Sequence, residues 1–315
     1  MRFFTKLKSS PQRIVLQDND DGIQAVGITH NAGQAPIVHT LVSIAAGDPT
    51  AASAIAHLSR EFSGKQHLYS LLLNAGHYQF LTVDAPNVEV AEIKDALRWR
   101  IKNMIDFPIE EAAIELLEIP ATTGPLDRVH AMFAVVARAG TIAQCQKQFE
   151  IIDMPVSIID IPEMAQRNFS ALLGSQEAGI ALLSFDASGG LLTVTFRKEL
   201  YLSRRIDVTS IQLSQHTEEQ KFTYFAKIVM ALQQSLDYCD RQYRNIPISK
   251  LTLAPLETAA SSLSVYLAEN LYMPVELLDL AALLDISRVP QLAFPEVQQR
   301  FFLCLGAALR MKEAV

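Results

Sequence analysis

Chemistry in this chain would have to come from a few short stretches. The most suggestive is VLQDNDDGIQAVGI, Val15 to Ile28, which sets Asp18, Asn19, Asp20 and Asp21 ahead of Gly22 in a turn between apolar runs. Oxygen donors at alternate positions suit calcium, but an EF-hand loop needs glycine at its sixth place and glutamate at its twelfth. Counted from Asp18, Gly22 falls one position early and the last place holds Thr29, so that reading fails. The histidines are dispersed and form neither HxxxH nor HExxH, which leaves a metal site without support. Gly64-Lys65 lacks the upstream glycine of a P-loop and is followed by Gln66, while GxSxG and GxGxxG are absent. Carboxylate pairs such as Glu110 and Glu111 fall in turns. A phosphotransfer enzyme could draw on Asp18 or Asp186, yet no sugar-recognition pattern accompanies them. No catalytic constellation emerges.

Bulk properties narrow the class. Half of the 315 residues are hydrophobic and 19% are charged, as in a globular protein with a large core. A net charge of −7 argues against a nucleic-acid footprint. Cys145, Cys239 and Cys304 are scattered and odd in number, which points to a reducing compartment rather than a disulfide framework. In that setting the sequon at Asn168 has no meaning. No uncharged apolar run approaches the roughly 18 residues of a membrane helix. The N-terminus carries Arg2, Lys6, Lys8 and Arg13 beside Phe3 and Phe4 but no signal-peptide core. It reads as a solvated start, with a weak contact to anionic lipid as the sharper alternative.

The elements that must position these residues follow from local signals. Asp21-Gly22 between apolar runs predicts a hairpin, because its tight turn needs positive φ. LLLNAG (71–76) and HYQFLTV (77–83) suggest a second strand pair turning at Asn74 to Gly76. A helix is expected from about Val88 to Asp106, then a turn and a strand within FPIEEAAIELLEIP (107–120), a strand at 129–138 and a helix at 139–152. This βαβ-like alternation indicates an α/β protein. At 179–206 an apolar strand, an Asp-containing turn ending in Gly189 and further strands echo the opening hairpin, so the chain reads as two related lobes. Thr217 and Gln220 form a capping box. Phe222, Phe225, Val229, Leu232, Leu236 and Cys239 follow as one buried helical stripe. In the helix from Val88, Ile93, Leu97, Ile101, Met104 and Ile105 share one face at about 100° per residue. Trp99 lies opposite them. Packing by another part of the chain is the expectation, since large aromatics are mostly buried; an interface anchor is the alternative.

ALRWRIKNMIDFPIEEAAIE (96–115) resembles the signature of the PilM family of type IV pilus assembly proteins, most like its MshI branch, named for biogenesis of the mannose-sensitive haemagglutinin pilus. The resemblance continues through VSIIDIPEMAQRN (156–168), ELYLSRRID (199–207), LQQSLDYCDRQ (232–242) and LGAALR (305–310). It implies a two-lobed actin-like fold, a duplicated ribonuclease H-like unit as in the cell-division protein FtsA, with a small inserted subdomain. On this pattern the first lobe takes residues 1–86 and 155–176, the insert 87–154 and the second lobe 177–294. The C-terminal helix, 295–315, returns to the first lobe. The family is cytoplasmic, peripheral at the inner membrane, and clasps the short N-terminal cytoplasmic segment of a PilN-like bitopic protein. Trp99, Arg100, Phe107 and Pro108 are the expected neighbourhood of that segment.

PilM itself binds ATP with magnesium, through glycine-rich turns whose backbone N–H groups approach the phosphates. Here the positions that matter are altered. Anchored at Gly22, the first hairpin has Val15 for the family glycine and Gln17 for its aspartate; a shift of one residue would restore Asp18. In LLSFDASGG (182–190) Ser184 stands for an aspartate, and no glycine follows until Gly189. LTLAP (251–255) ends in Ala254 and Pro255 where the family has glycines, and Ala231 and Gln234 replace an expected Glu and Arg. Asp18, Asp20, Gly22, Ser184, Asp186, Gly189 and Ala254 are therefore read as the remnant of a nucleotide cleft. No cofactor is expected, or ATP with magnesium if the cleft still functions. The resemblance thus implies a non-enzymatic adaptor, with a nucleotide-regulated member and a small-molecule kinase of the same superfold as alternatives.

Overall fold

The computed structural model describes residues 11–19, 22–30, 33–48, 53, 56, 59–60, 62, 67–120, 131–174, 177–214, 217–257 and 260–310. Asp20 lies outside the described residues, as do the N-terminal basic and aromatic residues up to Lys8. Strands β1 (Arg13–Asn19) and β2 (Gly22–Thr29) form the expected hairpin, with Asn19 opposite Gly22. Gly22 has φ +119°, and a Cβ there would lie 1.9 Å from the carbonyl oxygen of Ile44. Glycine is needed because the next strand, β3 (Ile37–Ala45), passes so close. β4 (Leu68–Leu72) then pairs parallel with β1.

After β4 the chain leaves this sheet. β5 (Tyr78–Asp84), helix α1 (Ile93–Ile101), β6 (Ala112–Glu118) and β7 (Ala131–Arg138) build a separate three-stranded sheet in the order β5-β7-β6, covered by α1. The segments 71–76 and 77–83 are therefore not a hairpin. β4 is almost wholly buried, as a central parallel strand must be, whereas β5 is only partly covered and pairs with β7. The inserted sheet starts at Tyr78, ahead of the expected boundary at 87. Helix α2 (Ala139–Glu150), expected inside the insert, places Phe149 in the first lobe's core beside Tyr69 and Leu71. The helix expected to reach Asp106 ends at Ile101, and Met104 is exposed. Pro108 drives the residue before it to extended backbone, so Phe107 cannot continue a helix. β8 (Val156–Asp160) completes the first sheet, ordered β3-β2-β1-β4-β8, and leads into α3 (Pro162–Leu173).

The second half repeats the topology. β9 (Gly179–Asp186), β10 (Gly189–Phe196) and β11 (Glu199–Ile206) form an antiparallel meander, and Gly189 at φ +131° closes the β9–β10 turn as Gly22 closes the first. Short α4 (Ser210–Ser214) and long α5 (Glu218–Gln242) lead to β12 (Ile248–Leu253), α6 (Ala260–Asn270) and β13 (Val275–Leu277). The sheet order β11-β10-β9-β12-β13 matches the first sheet strand for strand. This duplicated unit is the two-lobed actin-like fold. The α5 stripe is buried except for Phe222, which is exposed and meets the ring of Tyr266.

Helix α7 (Pro295–Ala308) packs on β1, β2 and α3. Phe169 and Phe302 stack at 4.8 Å, and Gly306 lets the helices touch, since a Cβ there would lie 2.5 Å from the carbonyl of Ala165. One apolar core runs through both lobes, joining Val15, Val26 and Leu72 to Leu182, Ala254 and Leu305. Among the described residues no helix is long and apolar enough to cross a membrane.

Candidate functional site: the interlobe cleft

Between the lobes lies a cleft of about 870 Å³. The β1–β2 hairpin contributes Gln17, Asn19 and Gln24, and the β9–β10 hairpin contributes Ser184, Asp186 and Ser188. Pro255 and Glu257 follow β12, and α7 presents Glu296, Gln299 and Arg300. Asn74 and His77 close the side next to the inserted sheet.

Side chains alternate along a strand, so Gln17 and Asn19 facing the cleft turn Asp18 to the other side of β1. Asp18 lines a different pocket, of about 200 Å³. The register anchored at Gly22 is thus the one that applies: the position expected to hold an aspartate holds Gln17. Gln17 donates from Nε2 to Asn74 Oδ1 at 3.1 Å, and its own carbonyl accepts from the Cys304 thiol at 3.4 Å. Asn74 in turn donates to the carbonyl of Asp18. Burial pushes the Cys304 thiol up to about 12, so it stays a neutral donor.

Ser184 does face the cleft, but its hydroxyl accepts from Gln166 Nε2 at 2.5 Å. That buried amide of α3 also donates to the carbonyl of Leu191 and accepts from Thr193. Asp186 accepts from the backbone N–H of Ser188 at 2.7 Å, which closes its own turn. Gly22, Gly189 and Ala254 do not line the cleft, which corrects three expectations. The glycines serve close strand approach, with a Cβ at Gly189 meeting the Ile206 carbonyl at 2.8 Å. Ala254 is buried in the core, and its N–H donates to Leu183. Val15, at the family glycine, is likewise wholly buried there. Neither Ala231 nor Gln234 reaches the cleft.

The lining therefore offers carboxamides and hydroxyls on its floor. Asp186, Glu257 and Glu296 stand around it against Arg300 and His77. Among the described residues no three His, Cys, Asp or Glu side chains stand together as a metal site. Three of the carboxylates and amides of this wall come from α7 and the β12 loop, which carry no local motif. Only the spacing of positions 296, 299 and 300 on one helical face could have flagged them.

The second group of expected site residues sits on the insert, away from this cleft. Trp99 is 76% exposed, which overturns the packing expectation. Leu97 and Ile101 take the sheet-facing positions of α1 and are fully buried, so position 99 points to solvent. The Lys102 ammonium lies 5.8 Å from the indole centre. Arg100 donates to the carbonyl of Asp84 at 2.8 Å and so secures the end of β5. Phe107 packs under the Arg138 guanidinium at 4.4 Å, and Pro108 beside it is exposed.

No family model matches this chain, and no curated protein is found to match it. Among solved structures it is similar to a chain of the PilM–PilN type IV pilus biogenesis complex, at 16% identity and a TM-score of 0.71 over 96% of this chain and 99% of that one. It is also similar to the cytoplasmic domain of EpsL, an inner membrane component of the type II secretion system of Vibrio cholerae, at 12% identity and a TM-score of 0.52 over 95% of both chains. At these identities the likeness is one of fold, and in fold this chain is a two-lobed actin-like protein.

Proposed function

We propose that this chain is a non-enzymatic adaptor of pilus or secretion assembly, held at the cytoplasmic face of the inner membrane by a partner. The partner is the short N-terminal segment of a PilN-like bitopic protein, and nucleotide plays no part in holding it. The likeness to a chain of a PilM–PilN complex along 96% of this chain supports the partner class. The stretches at 96–115 and 156–168 support the finer reading, an MSHA-type pilus and an MshI-like protein. The observation that carries the adaptor reading is the state of the two hairpins. Gln17 and Ser184 occupy the carboxylate positions, and both are already hydrogen-bonded within the chain.

Magnesium triphosphate does not fit this donor set. Carboxylates and waters are what magnesium takes, with backbone N–H groups for the phosphates. Here the hairpins offer Gln17 and Ser184 in place of carboxylates, Pro255 lacks an N–H, and the carboxylates that do line the cleft, Asp186, Glu257 and Glu296, would meet the phosphates as like charges, at about 4 kcal/mol for a pair at 4 Å and an effective dielectric of 20. The cleft volume of about 870 Å³ favours the nucleotide-regulated member as the competing reading, since a nucleotide would have room. The kinase reading has less support, because Asp18 faces away and Asp186 caps its own turn.

Calorimetric titration decides between them. The adaptor reading expects heat with a synthetic N-terminal peptide of the PilN-like protein and none with Mg-ATP. Micromolar Mg-ATP binding, or a silent peptide, would overturn it.

A further inference from the structure

Asp18 stands at a second pocket, which shares His77 with the cleft lining and does not include the exposed tryptophan. It forms where the parallel strands β1 and β4 end, beneath α2. Crevices outside the carboxyl ends of parallel strands are where α/β sheets take their ligands. Leu72 and Phe149 supply apolar wall, and Thr141, Gln144 and Gln148 recur along one face of α2. At about 200 Å³ the space is below the range of roughly 300–1,000 Å³ that small-molecule sites occupy, and suits one long side chain.

The chemistry is that of a cation site. Among the described residues the Asp18 carboxylate accepts no hydrogen bond and makes no ion pair. Asp18 lies exposed at the lip of the pocket, where partial burial raises its pKa and His77 lowers it. A cation would reverse that cost. Apolar walls suit the methylene stem of lysine or arginine, whose charged head can remain near water at the lip. Amide and hydroxyl oxygens on α2 supply acceptors for its remaining N–H groups. The Cys145 thiol, its pKa raised by burial and by Asp18, competes with none of this as an anion.

We propose that this pocket receives one lysine or arginine side chain of the bound peptide segment, with Asp18 as its counter-charge. The proposal rests on the adaptor reading and deepens it by naming a residue type the segment must carry.

Two probes test it on the full chain. n-Butylguanidinium and n-butylammonium, against uncharged n-butanol, are titrated while the amide resonances of Thr141, Gln144 and Gln148 are followed. Shifts with the cations that vanish in Asp18→Asn support the pocket. No shift in the wild type, or an equal shift in the variant, overturns it. The PilN-like peptide is then titrated with each basic residue replaced by norleucine. One such replacement and Asp18→Asn should each weaken binding up to about fivefold, the upper worth of an exposed pair, and together no more than either alone. A peptide that binds Asp18→Asn as tightly as wild type overturns the proposal and leaves the adaptor standing. Cation shifts with a silent peptide support the pocket and sink the adaptor.

Discussion

Arg205→Ala tests how one buried carboxylate ties the two lobes together. From β11 of the second lobe, Arg205 donates to Glu163 Oε1 and to the Tyr78 hydroxyl, each at 3.0 Å. Tyr78 donates to the other Glu163 oxygen. One carboxylate on α3 thus ties the second lobe, the first lobe and the start of the inserted sheet. Its side chain is 1% exposed, against 35% for Arg205. Burial opposes the charge on Arg205, but Glu163, Tyr78 and Asp186 outweigh it and raise its pKa, so the cation persists throughout the working range. Burial and then Glu163 push the Tyr78 phenol well above its ordinary value, which keeps it a donor.

Removing the guanidinium strands a buried charge, an event that costs about 3–5 kcal/mol. Water reaches the Arg205 side, so the lower end, about 3 kcal/mol, is expected. Tyr78→Phe leaves Glu163 paired and should cost only about 1.5 kcal/mol, one hydrogen bond to a charged group. Urea unfolding of both variants and their double measures this. Because they share Glu163, the double should depart from additivity by at least about 0.5 kcal/mol. A deficit below about 1 kcal/mol, or strict additivity, would refute the reasoning that this triad is an interlobe tie.

Gly22→Ala must displace the Ile44 carbonyl from a 1.9 Å contact and hold a positive φ, so a loss of about 3 kcal/mol or more is expected. Gly76→Ala, with nothing within 4 Å, should stay within about 0.5 kcal/mol, and equal losses in urea unfolding would sink the close-approach account. Trp99 fluorescence should be water-like and quenched freely by acrylamide, while Trp99→Ala changes stability by no more than about 0.5 kcal/mol and weakens peptide binding. A shielded indole would contradict the geometry. For thiols, burial pushes Cys239 and Cys304 up to about 12. A raised thiol pKa favours folding below the free-thiol value and loses that contribution as pH climbs toward about 12, so stability should fall across this alkaline window. At mildly alkaline pH, Ellman's reagent should titrate Cys145 alone in the native protein and all three cysteines after denaturation; early reaction of a second thiol would refute the burial.

Much of the fold was legible because its signals are local. Asp21-Gly22 and Ser188-Gly189 announce hairpins through the backbone torsions their glycines supply, and their recurrence half a chain apart announces the duplication. The capping box was equally readable: α5 starts at Glu218, with Gln220 accepting from the Thr217 N–H at 3.3 Å. Alternation along β1 determined that Gln17 and Asp18 must face opposite ways. Which of them meets the other lobe depended on where that lobe sits, and contacts between distant residues set this. The same holds for β5, whose sheet partner lies beyond α1 and β6, and for Trp99, whose outward direction follows from Leu97 and Ile101 docking on the insert. Short-range torsions and periodicity are written into neighbouring residues, whereas the side of a strand that becomes a cleft is decided only when two lobes pack.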